Sequence, residues 1–152
     1  MQSMEILNSK QIKNIRSLLE KQFGIVEKLD FVFMINAKGK VYVITREVEK
    51  LDLKKLRIDS IGLYFGTLGD DGFRLSIEGS QIIGKFAKKN VLELDDCQFE
   101  SWLKGEDFEV DTKMSGFVIV KYKKDFVGCG RIREKKLLNY VSKSRRLIVI
   151  NN

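Results

Sequence analysis

Three sets of residues in this chain are of types that could do chemistry. They are the adjacent carboxylates Asp70-Asp71 and Asp95-Asp96, the thiols of Cys97 and Cys129, and the glycine-rich stretch from Gly66 to Gly72. Paired carboxylates can hold Mg²⁺, a thiolate can attack an electrophile, and a glycine loop can cradle phosphate. Each also has a plainer duty. Asp95 stands three residues before Gln98, as the first member of a helix capping box does, and Asp70-Asp71 falls in a turn. The glycine stretch lies between two apolar runs of strand character instead of opening a helix, so it lacks the helix N-terminus on which phosphate sites are built. Neither cysteine belongs to a C-x-x-C pair, and both read as small buried hydrophobes. With no histidine among 152 residues, the Ser-His-Asp triad, the Cys-His pair and imidazole ligation of zinc are excluded. No G-x-G-x-x-G loop follows a strand, and the chain is too short to house a Rossmann domain. The expectation is a chain that is not an enzyme, with no catalytic residues, no metal and no cofactor.

Charge points to binding. The chain carries 28 basic and 21 acidic side chains, for a net charge of +7, and the excess is unevenly spread. Residues 1–90 sum to +5, residues 91–112 to −7 and residues 113–152 to +9. A clustered basic excess is the footprint of a protein that meets polyphosphate, since each neutralised phosphate releases condensed counterions. A lysine-rich solubilising surface would give the same totals. No apolar signal core occupies the first ten residues and no apolar run approaches a membrane span. Together with the sparse cysteines, this gives the expectation of a soluble, cytoplasmic protein.

The elements that must position these residues follow from periodicity. Asn8 and Gln11 form a capping box, and Ile12, Ile15, Leu18, Leu19 and Phe23 recur at helical spacing until Gly24 stops the helix. Phe31–Ile35 and Lys40–Arg46 predict one hairpin, and Ile61–Phe65 with Phe73–Ile77 a second, around the turn-rich segment 67–72. A short helix is expected around Ile82, Ile83 and Phe86, and a domain boundary after Lys88, giving units 1–88 and 89–152. In the second unit, Val91–Leu94 predicts a strand and Asp95 with Gln98 caps a helix that Gly105 ends. Short strands are then expected at 108–110, 117–122, 126–133, 137–141 and 147–150, enough for a small closed or nearly closed barrel. The fold class is α+β, with an N-terminal half of helices and an antiparallel sheet followed by a β pseudobarrel.

The second unit carries a family likeness in an ordered series of motifs. Trp102–Val110 (WLKGEDFEV), Gly116–Tyr122 (GFVIVKY), Asp125–Ile132 (DFVGCGRI) and Leu137–Arg146 (LLNYVSKSRR) resemble a PUA domain. More narrowly, they are similar to the PUA-like C-terminal extension of the Fmu/Sun family of rRNA cytosine-5 methyltransferases. The resemblance implies a pre-PUA domain followed by a PUA domain that binds structured rRNA or tRNA in ribosome biogenesis, rRNA processing or RNA modification. It also implies an RNA-binding set of Lys104, Gly105, Arg131, Arg133, Asn139, Lys143, Arg145 and Arg146. A second reading makes the chain an adapter that docks on an RNA-modifying methyltransferase.

Part of that set has independent support. Arg131 and Arg133 are two apart on one strand, so both guanidiniums share a face, where they can engage phosphate or stack on bases. Lys143, Arg145 and Arg146 crowd a turn, an arrangement suited to clamping phosphate. Gly105 serves equally well as a helix cap. Trp102, Phe99, Phe117 and Phe126 occupy apolar positions and belong to the core, which leaves Tyr122 and Tyr140 as the aromatics near the basic face. Lys85, Lys88 and Lys89 could extend the patch at the domain junction.

Overall fold

The computed structural model describes residues 4–45 and 62–140. Helix α1 (Ser9–Phe23) begins at Asn8, whose Oδ1 accepts the Gln11 N–H while Gln11 Oε1 accepts the Asn8 N–H, both at 2.9 Å. Ile15, Leu19 and Phe23 are buried along one face, and Gly24 closes the helix in the left-handed region. That face packs on an antiparallel meander of β1 (Met4–Ile6), β2 (Phe31–Asn36), β3 (Lys40–Thr45), β4 (Leu63–Gly69) and β5 (Gly72–Leu75). The first hairpin turns where predicted. Oδ1 of buried Asn36 accepts the N–H groups of Lys38 and Lys40 at 2.9 and 3.0 Å, which satisfies the turn's donors from within.

The second hairpin differs from its expectation at the turn and at the far end. The ladder from Gly66↔Leu75 to Gly69↔Gly72 continues through the glycine stretch, so the turn shrinks to Asp70-Asp71. Ile77 is not a strand residue. Ser76 Oγ accepts the Gly79 N–H at 2.8 Å and starts helix α2 (Ile77–Ile83), after which residues 84–86 form a 3-10 turn. Period-two alternation of Phe73, Leu75 and Ile77 concealed this cap, because a helix entered directly from a strand shares its first apolar position with the strand pattern.

Beyond the junction come β6 (Val91–Glu93), α3 (Asp96–Leu103), β7 (Phe108–Glu109), β8 (Gly116–Tyr122), β9 (Asp125–Arg133) and β10 (Lys136–Asn139). The capping box of Asp95 and Gln98 forms at the start of α3, with bonds of 2.8 and 3.0 Å. The strands pair in the order β6-β8-β9-β10-β7, with β6 parallel to β8 and the others antiparallel. Among the described residues this sheet is a curled half-barrel, with β6 and β7 as the outer strands of that portion. The strand expected at 147–150, together with Arg46, Ile61 and Val141, lies outside the described residues.

Strands β8 and β9 serve two cores. On one face Ile119 and Cys129 join the cluster of α1 and the N-terminal sheet. On the other, Val118, Val120 and Ile132 pack around Trp102 with Leu92, Val110 and Leu137. The alternation of a strand buried on both faces puts one sheet wall between the two clusters and ties the halves together. Gln22 adds a polar tie: its amide both donates to the Phe73 carbonyl and accepts the Phe73 N–H at 2.8 Å. The fold is α+β. Among the described residues no helix is long and apolar enough to cross a membrane.

Candidate nucleic-acid interface

The residues singled out for RNA separate into two groups of different character. Lys104, Gly105 and Asn139 meet at the C-terminus of α3. The Gly105 N–H donates to the Trp102 carbonyl at 3.0 Å and its φ of 79° suits glycine, so it closes the helix. Asn139 donates its amide to the carbonyls of Trp102 and Glu106 at 2.9 and 3.3 Å, and its N–H goes to Asp107 at 2.8 Å. These bonds fasten β10 to the loop after α3, giving Asn139 a structural duty that sequence pattern did not show. Lys104 pairs with Glu100 at 3.3 Å, one turn back along the helix. The helix end is therefore an organised loop within the acidic band, with a single cation.

Arg131 and Arg133 lie together on β9, as alternation requires. Arg133 is exposed, and its register partner across the hairpin is Lys136, a neighbour the sequence reading passed over. Glu134 and Lys135 between them have φ of 53° and 61°, a tight left-handed turn. The result is a run of exposed cations at this end of the half-barrel. Arg131 faces the N-terminal half instead: it is ion-paired with Asp71 in the β4–β5 turn and lies 5.3 Å from the ring centre of Phe117. It forms one wall of a cleft of about 400 Å³ between the halves, together with Lys21 and Asn90. Lys143, Arg145 and Arg146 lie outside the described residues.

The two tyrosines have different surroundings. Tyr122 stacks on Phe99 with ring centres 3.9 Å apart, and its hydroxyl donates to Asp96 at 2.5 Å. That hydrogen bond raises its pKa, with partial burial and the Asp96 charge acting in the same direction. Tyr122 is thereby occupied within the protein. Tyr140 is exposed and carries the Arg74 guanidinium 4.4 Å from its ring centre. Of the junction lysines, Lys85 lies over Phe86 at 5.1 Å and Lys88 reaches Glu27 at 3.9 Å.

Four of the groups that could suggest catalysis are engaged or buried within the fold. Asp71 holds Arg131, Asp95 caps α3 and Asp96 accepts from Tyr122. Cys129 is buried, and burial pushes its thiol from 9.0 up to about 12 against the weaker opposing pulls of the Leu75 backbone and the Arg74 charge. A neutral thiol of this kind is a poor nucleophile. Near pH 8 a thiol reagent should titrate only exposed Cys97 in the folded protein, and both thiols after unfolding. Linkage makes the same point through stability. The Cys129 contribution is intact below pH 9.0 and is lost as pH rises toward about 12, because the unfolded chain releases this proton first. Urea midpoints on either side of pH 9 should therefore fall further for the wild type than for Cys129→Ala.

Comparison with known proteins bears on the second half of the chain. Residues 89–147 match the family model described as the methyltransferase RsmF PUA domain. No curated protein matches the chain.

Proposed function

Since residues 89–147 are a PUA-like domain related to the Fmu/Sun methyltransferase extensions, and PUA domains generally bind RNA, we propose that this chain is a non-catalytic RNA-binding protein. Its target is structured rRNA or tRNA, engaged during ribosome biogenesis or RNA modification. One coincidence carries the reading: the matched module overlaps the stretch 113–152, where the net charge is +9. The RNA-binding surface consists of Arg133 and the cations after Tyr140, namely Lys143, Arg145 and Arg146, with Arg131 at its margin. Residues 1–88 serve as a pre-PUA unit that shares a core with residues 89–152.

The Arg131–Asp71 ion pair adjusts this surface. Asp71→Asn removes a negative charge beside a candidate phosphate ligand and should raise RNA affinity severalfold. The exposed pair itself contributes under about 1 kcal/mol of stability. Fluorescence anisotropy with a tRNA transcript, alongside urea unfolding, reads both quantities. Weaker binding by Asp71→Asn would mean that Arg131 must be held by Asp71 to act.

A second reading rests on the kind of protein to which the matched module belongs. In a methyltransferase the PUA domain is an appendage, so a separate chain bearing one can serve as an adapter for such an enzyme. Crosslinking in cells followed by sequencing of the bound RNA tests the main reading, with rRNA or tRNA fragments as the expected result. Recovery of a methyltransferase without direct RNA crosslinks would favour the adapter.

A further inference from the structure

The exposed side of α1 carries Lys10, Lys13, Arg16 and Lys21 against a single acid, Glu20. The helix dipole favours acids in the first turn, and none stands there, so the helix's own electrostatics do not account for this charge. Beside that side the chain brings two more cations. The N–H groups of Lys88 and Lys89 donate to the Phe23 carbonyl at 2.8 and 3.2 Å, which fixes both residues at the C-terminus of α1. After Gly24 the Ile25 N–H returns to the Leu19 carbonyl at 3.4 Å, and the turn leaves Ile25 buried and Val26 52% exposed. Two adjoining cavities result. One, of about 240 Å³, is lined by Lys13 and Arg16 together with Leu19, Ile25 and Leu29. The other, of about 640 Å³, is lined by Lys21, Lys88 and Lys89, and both share Val26 and Glu20.

We infer that this surface docks an acidic segment of a protein partner, whose carboxylates meet the cations while one bulky apolar side chain enters the smaller cavity. The inference gives the first half of the chain a partner of its own and does not depend on the RNA-binding reading. Charge supplies the first argument. Among the described residues Lys13, Arg16, Lys21 and Lys89 are in no ion pair, and only Lys88 is engaged, with Glu27 at 3.9 Å. These cations outnumber the two carboxylates beside them, Glu20 and Glu27, so the surface attracts negative charge. Shape and polarity supply the second. Leu19, Ile25, Val26 and Leu29 give the surface an apolar centre within a charged periphery, the anatomy of a protein docking patch. The same residues tell against RNA here. Neither cavity has an aromatic ring in its lining on which a base could stack, and phosphates seated on the cations would meet the carboxylates of Glu20 and Glu27.

The test selects random peptides from a display library on the full chain. Selected peptides should converge on acidic sequences holding one bulky apolar residue. Two variants then locate their site: Val26→Glu, which sets a carboxylate at the apolar centre, and the double variant Lys13→Ala with Arg16→Ala. All three residues are exposed, so urea midpoints should stay at the wild-type value. By anisotropy a selected peptide should bind each variant about tenfold more weakly than the wild type, and alanine in place of its apolar residue should cost about tenfold as well. Affinity for a tRNA transcript should be the same in the variants and the wild type. A selection that does not converge, or that yields neutral or basic peptides, would overturn the inference. Selected peptides that bind both variants as tightly as the wild type would overturn it too, as would a tenfold loss of tRNA affinity in both variants, which would assign the surface to RNA.

Discussion

Replacing Trp102 with alanine should destabilise the protein by about 3–5 kcal/mol, the range for deleting a large buried aromatic. The upper end is expected, because Trp102 is the largest side chain of its core cluster and is packed directly on backbone. Trp102 is 1% exposed, and its ring lies against two glycines of β9: a Cβ on Gly128 would sit 2.8 Å from it and one on Gly130 3.3 Å. Gly128 also has φ of 150°, which disfavours any larger residue at that position. The indole N–H donates to the Val127 carbonyl at 3.2 Å, and the Trp102 carbonyl accepts from Asn139, so the residue joins α3 to β9 and β10. Trp102→Phe keeps most of the apolar volume and should lose far less, with the missing hydrogen bond contributing roughly 1 kcal/mol. Urea unfolding followed by circular dichroism measures both. A loss for Trp102→Ala no larger than that of a surface substitution would contradict the packing described.

Replacing Lys143, Arg145 and Arg146 together with alanine should weaken binding to structured RNA on the order of a hundredfold at 0.1 M salt, taking each phosphate contact as ~0.7–0.9 in the salt exponent. Arg131→Ala should do much less, because its guanidinium already has a carboxylate partner in Asp71. The contrast separates a contribution of these three side chains from a general effect of positive charge. Anisotropy titrations of the two variants against one tRNA transcript at fixed salt are sufficient. Equal losses would place the site on β9, and no loss from the triple variant would remove the C-terminal cations from it.

What was legible in the sequence was local. Both capping boxes, Asn8 with Gln11 and Asp95 with Gln98, form as read, because their partners are three residues apart and need no tertiary help. The first hairpin was legible for a similar reason, as its turn is closed by Asn36 alone. Long-range relations were not. Sequence spacing has no means of showing that β6 pairs parallel with β8, that Gln22 completes the backbone bonding of Phe73, or that Arg131 meets Asp71 sixty residues away. These last contacts changed the candidate site most. Arg131 and Arg133 do share a strand, yet Arg131 turns to an internal partner while Arg133 stays exposed. Asn139 is equally instructive: the resemblance implies an RNA-binding role for it, and its amide donates to the carbonyls of Trp102 and Glu106.

The proposal that this chain grips RNA through cations of its second half is tested most directly by the salt dependence of binding. The observed association constant for a structured RNA should fall linearly with salt on logarithmic axes. Four phosphate contacts, from Arg133, Lys143, Arg145 and Arg146, correspond to a slope of about −3, and the triple alanine variant should retain a slope of about −1. A wild-type slope near zero, or one that the triple variant leaves unchanged, would contradict it.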